Sequence, residues 1–287
     1  MRARAGAPVV TVSLAVCAAL AACGSGSNRA GPTTAAESAS APVTSSVAPP
    51  TPDETPSQLP LDPRNRHSTA VTFPSSDGIT LAGRLYGNGP HGVVLAHMGS
   101  PRNSQFDWLP VAVKLAARGY RVLTFDYRGI CFAPDPNVGC SQGEIDWPNA
   151  WQDVNGAVDF LRTRGASKVI VVGADLGGSM ALYAAAQGVK VDGVVAVSGL
   201  DEAEGYLIGE PVLRGVDVPL LFIAGSQDEP AASTYRRWSK EVHEPASGLL
   251  LDTDLHGTFL FDPIAPSDAA LAARAMDVLL RFLQAKD

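Results

Sequence analysis

The sequence predicts an α/β fold with a mostly parallel central sheet and helices on both faces. Three observations support this prediction. Apolar runs of strand length recur, segments with helical periodicity separate them, and residues 67–287 are long enough for one such domain but short for two. Continuous apolar strands that alternate with amphipathic helices are typical of parallel sheets buried on both sides.

The first two predicted strands, residues 69–73 and 79–86, form an antiparallel pair around the turn Ser75-Ser76-Asp77-Gly78. The remaining predicted strands lie at residues 92–96, 121–125, 168–172, 191–197, 219–223 and 247–251. Apolar residues at helical spacing predict helices at 106–118 and 149–164, a helical pattern from Met180 onward, and a last helix at 268–286.

Polar residues follow three of the predicted strands directly. Asp175 follows the strand at 168–172, a turn with Asp228 and Glu229 follows the strand at 219–223, and His256 follows the last strand. The carboxyl ends of parallel strands meet at one edge of a sheet, and active sites form there. We therefore expect Asp175, Asp228 and His256 to converge.

Asp175 stands between a strand and a helix, with Gly173 and Gly177 two residues on either side. This is the pattern of a nucleophile elbow, G-x-S-x-G, with a carboxylate where serine is expected. An ordinary structural role is the alternative. Aspartate is a favoured N-cap, its charge suits a helix N-terminus, and it tolerates strained or positive-φ backbone better than most residues.

The amino terminus predicts export. Arg2 and Arg4 precede an apolar run at residues 9–20, which is too short to span a bilayer and is typical of a signal-peptide core. The following Leu20-Ala21-Ala22-Cys23 resembles the lipobox of bacterial lipoproteins. Residues 1–22 are then a signal peptide, and a lipidated Cys23 tethers the exported protein to the membrane. The alternative is an ordinary secretory signal with a chance cysteine.

Residues 23–66 form the lipidated N-terminus and a linker rich in Ala, Pro, Ser and Thr. So few large apolar side chains cannot offset the chain entropy lost on folding, which predicts disorder. The net charge of the chain is −7, and no stripe of Lys or Arg stands out, which argues against a nucleic-acid partner.

Cys131 and Cys140 remain once Cys17 is removed with the signal and Cys23 carries the lipid. An even number of cysteines in an oxidising compartment favours a disulfide. Two free thiols or a pair of metal ligands are the alternatives, although no His or Cys partner stands at ligand spacing. Neither a metal site nor a phosphate-binding loop is apparent, so no cofactor is expected.

From about Thr69 to the C-terminus the chain resembles the α/β-hydrolase superfamily, in particular members without a lid near the dienelactone hydrolases and bacterial serine esterases. The motifs that carry the resemblance are Val93-Val94-Leu95-Ala96-His97-Met98-Gly99, Phe125-Asp126-Tyr127-Arg128-Gly129, the elbow at Asp175, the turn at Asp228 and His256-Gly257. The order nucleophile, acid, histidine is also that of the superfamily.

The resemblance implies a role for each matching position. His256 would be the base and Asp228 the acid that orients it. The backbone N–H of Leu176 would be the first oxyanion-hole donor, and that of Met98 or Gly99 the second.

Asp175 departs from the pattern, because most members have serine there. Haloalkane dehalogenases and epoxide hydrolases do use aspartate, but they usually have tryptophan where this chain has Leu176. They also carry a helical cap, and the link at 198–218 is too short for a full one. Two hypotheses follow: a hydrolase that uses Asp175, His256 and Asp228 on a small-molecule substrate, and a catalytically degenerate binding or scaffold module in the cell envelope.

Overall fold

A computed structural model describes residues 67–242, 246–262 and 264–285. The predicted signal peptide, lipidation site and linker at residues 1–66 lie outside the described residues. The described residues contain ten strands: β1 Ser68–Pro74, β2 Thr80–Tyr86, β3 His91–Ala96, β4 Tyr120–Phe125, β5 Lys168–Ala174, β6 Gly193–Val197, β7 Glu202–Ala203, β8 Tyr206–Leu207, β9 Leu220–Gly225 and β10 Ala246–Leu251.

Eight strands form one sheet in the order β1-β2-β4-β3-β5-β6-β9-β10. β1 and β2 pair antiparallel, as does β2 with β4, and every other pair in this sheet is parallel. The sequence prediction of an antiparallel hairpin that leads into a parallel sheet is confirmed. The carboxyl ends of β5, β6, β9 and β10 therefore lie in sequence along one edge.

Within the described ranges, six α-helices accompany the sheet: α1 Leu109–Ala116, α2 Trp151–Thr163, α3 Leu176–Ala186, α4 Glu210–Arg214, α5 Ala231–Glu241 and α6 Ala269–Gln284. Short 3₁₀ turns lie at Gln105–Trp108, Trp147–Asn149, Gly257–Leu260 and Pro266–Asp268. The predicted helix at 106–118 is therefore divided. Pro110, near the start of α1, lacks the N–H that an unbroken helix through this point would use.

Alternate side chains of each strand enter two separate cores. Val94 and Val171 pack on one face, with residues of α2 and α3, whereas Val93 and Val172 pack on the other, with residues of α1 and α6. This alternation is the period of a pleated strand. It explains why the strands are apolar throughout, and the prediction of helices on both faces is confirmed.

The link after β6 holds structure that the sequence did not predict. It contains the two-stranded hairpin of β7 and β8 and the five-residue helix α4. The Tyr206 hydroxyl donates to the carbonyl of Trp147 at 2.7 Å and accepts from the N–H of Trp151 at 3.0 Å. The hairpin is thereby fixed against the start of α2.

Cys131 and Cys140 are joined by a disulfide across a Cα–Cα distance of 5.0 Å, as the sequence predicts. It closes the loop after β4. Asp135 of that loop forms an ion pair with Arg84 of β2, and both side chains are almost fully buried. In the described parts of the chain, no helix combines the length and apolar character that a membrane span requires.

Candidate active site

The bend between β5 and α3 is sharp and centred on Asp175, whose φ of 52° lies in the left-handed region. Only glycine fits on either side. A Cβ on Gly173 would lie 2.1 Å from the carbonyl oxygen of Gly177, and one on Gly177 would lie 2.4 Å from that of His97. The N–H of Asp175 donates to the carbonyl of Val197 at 2.8 Å, so β6 fixes the bend.

The carboxylate of Asp175 does not cap α3, although the residue occupies the N-cap position. Its Oδ2 instead lies 3.4 Å from Nε2 of His256, and the side chain is 26% exposed. Its Oδ1 is buried and has no hydrogen-bond partner among the described residues. The capping role, the ordinary explanation for an aspartate here, is therefore absent.

His256 lies between two carboxylates. Its Nδ1 is 2.9 Å and 3.0 Å from the two oxygens of Asp228, which follows β9 and is only 7% exposed. Its Nε2 faces Asp175. The structure thus brings together the three side chains that the sequence singled out after β5, β9 and β10.

Both carboxylates stabilise the imidazolium form of His256. The hydrogen bond to Asp175 and then that to Asp228 raise the pKa of His256 to about 10, against an opposing effect of burial. At neutral pH the site therefore holds a protonated histidine between two carboxylates.

Three other polar residues near these strand ends, Asp201, Glu229 and Ser179, have partners of their own. Asp201 forms an ion pair with Arg237, and Glu229, which is exposed, pairs with Arg236 at 3.0 Å. The Ser179 hydroxyl donates to the carbonyl of Leu200 at 2.5 Å and accepts from its N–H at 3.1 Å. None of these groups is in hydrogen-bond contact with His256.

The residues of the predicted oxyanion hole are in contact with each other. The N–H of Leu176 belongs to the first turn of α3, where the helix supplies no acceptor. Gly99 has a φ of +70°, and a Cβ there would lie 2.8 Å from Cδ2 of Leu176. The N–H of Gly99 donates to Nδ1 of His97 at 3.2 Å. Of the two alternatives for the second donor, Met98 is therefore the one that remains.

His97 supports this loop. Its ring is fully buried and lies 4.6 Å from that of Tyr127, and burial lowers its pKa to about 3. It is therefore neutral, and its Nδ1 accepts the Gly99 N–H. Met98 extends towards the histidine loop, since a Cβ on Gly257 would lie 2.5 Å from its sulfur.

Ser198 is a residue of the site that sequence reasoning missed. Its hydroxyl lies 2.8 Å from Oδ2 of Asp228 and 3.0 Å from the backbone nitrogen of Gly257. These partners are 30 and 59 residues away in the chain. The one available signal was its position directly after a strand that ends at the active-site edge. Within the described residues, the site included, no group of three or more His, Cys, Asp or Glu is placed to hold a metal ion.

The sequence profile described as the alpha/beta hydrolase family matches residues 93–285. No curated protein matches the sequence. Among solved structures, an esterase from Pyrococcus furiosus is 18% identical with a TM-score of 0.58, covering 76% of this chain and 90% of its own. A dienelactone hydrolase from Anabaena variabilis is 20% identical with a TM-score of 0.56, covering 75% and 98%. An alpha/beta hydrolase from a Penicillium species is 16% identical with a TM-score of 0.59, covering 76% and 98%. At such identities the likeness is one of fold.

Proposed function

The chain is a member of the alpha/beta hydrolase family, and we propose that it is an exported, membrane-anchored hydrolase whose nucleophile is the carboxylate of Asp175. The proposed substrates are small molecules with an electrophilic saturated carbon. The observation that carries this proposal is the line of three side chains in which His256 contacts Asp175 with one ring nitrogen and Asp228 with the other.

In the first step a carboxylate oxygen of Asp175 attacks the saturated carbon. The bond from that carbon to the leaving atom breaks and its electron pair goes to that atom. A halide departs as the anion, whereas an epoxide oxygen stays on the substrate and takes a proton from solvent. An alkyl ester of Asp175 results. A carboxylate needs no base to activate it, so a protonated His256 in the resting enzyme does not impede this step.

Esterification changes the charge beside His256. The hydrogen bond to Asp175 is the largest of the causes that raise the pKa of His256, and Asp175 loses its negative charge when the ester forms. The pKa of His256 then falls, and the imidazolium can release its proton to solvent. His256 therefore becomes neutral, and able to act as a base, only after the first step.

In the second step neutral His256 takes a proton from water, and the resulting hydroxide attacks the carboxyl carbon of the ester. The N–H groups of Leu176 and Met98 would stabilise the oxyanion. The bond from the carboxyl carbon to the alkyl oxygen breaks and the alcohol leaves. The oxygen from water remains in the carboxylate of Asp175.

The unpartnered Oδ1 of Asp175 supports a nucleophilic role. A buried oxygen that shares a negative charge and accepts no hydrogen bond is destabilised in the resting enzyme. Conversion to a neutral ester removes that charge. The same carboxylate is poorly suited to ordinary carboxylic esters, because attack on them would give a mixed anhydride less stable than the starting ester.

Export and anchoring through Cys23 are part of the proposal. The sequence before Cys23 supports them, as does the Cys131–Cys140 disulfide, because such bonds persist outside the cytosol. Labelling with a fatty-acid analogue tests this directly. Cys23→Ala should lose the label and leave the membrane fraction, and retention of both would overturn the anchor.

The nucleophile is tested by single turnover in water labelled with heavy oxygen, on a panel of haloalkanes and epoxides. We expect the label in the peptide that contains Asp175, and no turnover by Asp175→Asn. Asp254→Asn is the matched control, because it neutralises an exposed carboxylate two residues from His256. Full activity of Asp175→Asn would exclude the mechanism.

A second candidate function, a binding module in the cell envelope, is favoured by one observation. A protonated His256 between two carboxylates forms ion pairs that satisfy one another, and such ion pairs can have a purely structural role. Asp175→Ser separates the two functions. Esterase activity in Asp175→Ser would show that the catalytic site is otherwise intact. The binding module would instead be supported if the protein turns over no substrate and if His256→Ala leaves ligand binding unchanged.

A further inference from the structure

Ser198 is the residue that directly follows β6, and its backbone is held in an unusual conformation. Its φ is 46°, in the left-handed region where non-glycine residues are uncommon. It is fully buried, and its N–H donates to the carbonyl of Ile223 at 2.7 Å. Glycine would adopt this conformation without strain, so the serine side chain needs a separate explanation.

The hydroxyl of Ser198 joins two loops of the candidate active site. Because the carboxylate of Asp228 can only accept, the hydroxyl donates to its Oδ2 at 2.8 Å. Its oxygen accepts the N–H of Gly257 at 3.0 Å. Gly257 follows His256 in the chain, so one hydroxyl holds both the acid and the backbone of the histidine loop.

The alternative roles of this hydroxyl are excluded by its contacts. Its proton is committed to Asp228, and the residue is fully buried behind the acid, so it is placed neither to attack a substrate nor to carry a proton. β6 also accepts the N–H of Asp175, through the carbonyl of Val197. The carboxyl end of β6 therefore contacts the segments that carry all three side chains of the site.

We infer that Ser198 is a positioning residue that sets the register between Asp228 and His256 and so determines how His256 meets Asp175. The inference depends on the proposed function only for its catalytic consequence. The contacts themselves, and their effect on His256, exist whether or not Asp175 is a nucleophile.

Removal of the Ser198 hydroxyl takes a hydrogen-bond partner from each of two groups. The N–H of Gly257 becomes a buried donor without an acceptor, and Asp228 loses the contact that fixes the orientation of its carboxylate. Hydrogen bonds weaken steeply as their angle departs from linear. The contact between Asp228 and Nδ1 of His256 should therefore weaken, and with it the stabilisation of the imidazolium.

The test is titration of His256 by NMR in the full-length protein with isotope-labelled histidine, which requires no substrate. In Ser198→Ala we expect the midpoint of the His256 titration to fall by about 1 pH unit. In Ser198→Gly the midpoint of the His256 titration should fall by a similar amount. Because glycine also relieves the backbone strain at this position, this variant provides the test if Ser198→Ala does not fold.

Ser179→Ala is the matched control. Ser179 is also a fully buried serine that donates one hydrogen bond and accepts one, but both are with Leu200, away from the three side chains. It should leave the titration of His256 unchanged. A shift in Ser198→Ala no larger than in Ser179→Ala would overturn the inference. A rise in the midpoint of the His256 titration in Ser198→Ala would also overturn the inference. It would show that Ser198 acts on Asp228 only through electrostatics and does not position it.

The catalytic consequence is measured separately, on any haloalkane or epoxide that the wild-type protein turns over. There, Ser198→Ala should lower kcat with little change in KM, because the hydroxyl contacts residues that act on the substrate and not the substrate itself. Absence of turnover by the wild type would contradict the proposed nucleophile and leave the titration result intact. A rise in KM at unchanged kcat would contradict the positioning role.

Discussion

His256 is held by charge more than by packing, since each ring nitrogen faces a carboxylate and the side chain is 34% exposed. Its raised pKa has a consequence for stability. A histidine whose pKa is higher in the folded than in the unfolded protein contributes stability that is complete below the unfolded value of 6.5 and is lost as the pH rises through about 10.

We therefore predict that the free energy of unfolding of the wild type exceeds that of His256→Gln most near pH 6, just below the unfolded value of 6.5. The difference should decline steadily between pH 6.5 and 10, because over this range only the folded state retains the proton. Urea unfolding of both proteins across that range measures it. A difference that grows with pH would contradict the ion-pair description.

Asp228 and Glu229 are adjacent carboxylates with different partners, which allows a matched comparison. Asp228→Asn removes the charge that stabilises and orients His256 and should lower kcat on any substrate by about 10²–10⁴-fold. Glu229→Gln removes an exposed charge that pairs with Arg236 and accepts the N–H of Ser233 at 3.2 Å, and it should leave kcat and stability nearly unchanged. Equal effects of the two changes would assign the orienting role to neither residue.

The sequence predicts which of these residues meet, because each lies within a few residues of the end of a parallel strand and the ends of such strands share an edge. It does not predict their charge state. That state depends on the distances from His256 to Asp175 and Asp228, which no spacing in the chain determines. Ser198 is missed for a related reason: its φ and its two partners are properties of the folded chain alone.

The junction of β3, β5 and α3 is the element on which the proposed oxyanion hole depends. Gly177 lies in the first turn of α3, and a Cβ there would come within 2.4 Å of the carbonyl oxygen of His97 and 2.7 Å of that of Ala96. Both neighbours are backbone atoms, which cannot rotate out of the way. The glycine thus sets how closely α3 approaches the loop that carries Met98.

Gly177→Ala should cost about 1–3 kcal/mol of stability, through separation of α3 from this loop. It should also slow the hydrolysis of the ester intermediate, since the two oxyanion donors move apart. Gly209→Ala is the control, because Gly209 has a φ of −100° and a Cβ there would lie 3.7 Å from its nearest contact. Equal unfolding midpoints for the two variants would show that the junction is not tightly packed.

Element prediction succeeded where apolar residues form long periodic runs and failed where packing decides. β5 continues to Ala174, two residues beyond its predicted end, because its pairing with β6 extends to that point. α3 begins at Leu176, four residues before its predicted start. The β7–β8 hairpin carries no apolar pattern and is held by the hydroxyl of Tyr206, so the sequence alone gave no sign of it.

For the molecule as a whole, the sequence accounts for a single sheet with helices on both faces, because its continuous apolar strands require cover on each side. The loop after β4 is different. It is held to β2 by the ion pair between Asp135 and Arg84 and by the N–H of Gln142, which donates to the carbonyl of Thr80 at 2.8 Å, and the Cys131–Cys140 disulfide closes the loop on itself. The stability of this loop should therefore depend on the redox state of its surroundings.

Loss of this disulfide in the double variant Cys131→Ser/Cys140→Ser should lower the free energy of unfolding by about 2–3 kcal/mol, the chain entropy of a loop closed over 9 residues. Reduction should also loosen Asp135 and leave the buried guanidinium of Arg84 with a weaker partner, so the measured loss should lie at or above this value.

Urea unfolding with and without a thiol reductant measures this loss of stability. The wild type should shift to the midpoint of the double variant when reductant is added, and the double variant should not respond. A wild-type midpoint that is insensitive to reductant would show that the loop is held without the disulfide. The sequence before Cys23 would then be the remaining argument that the protein is exported to an oxidising compartment.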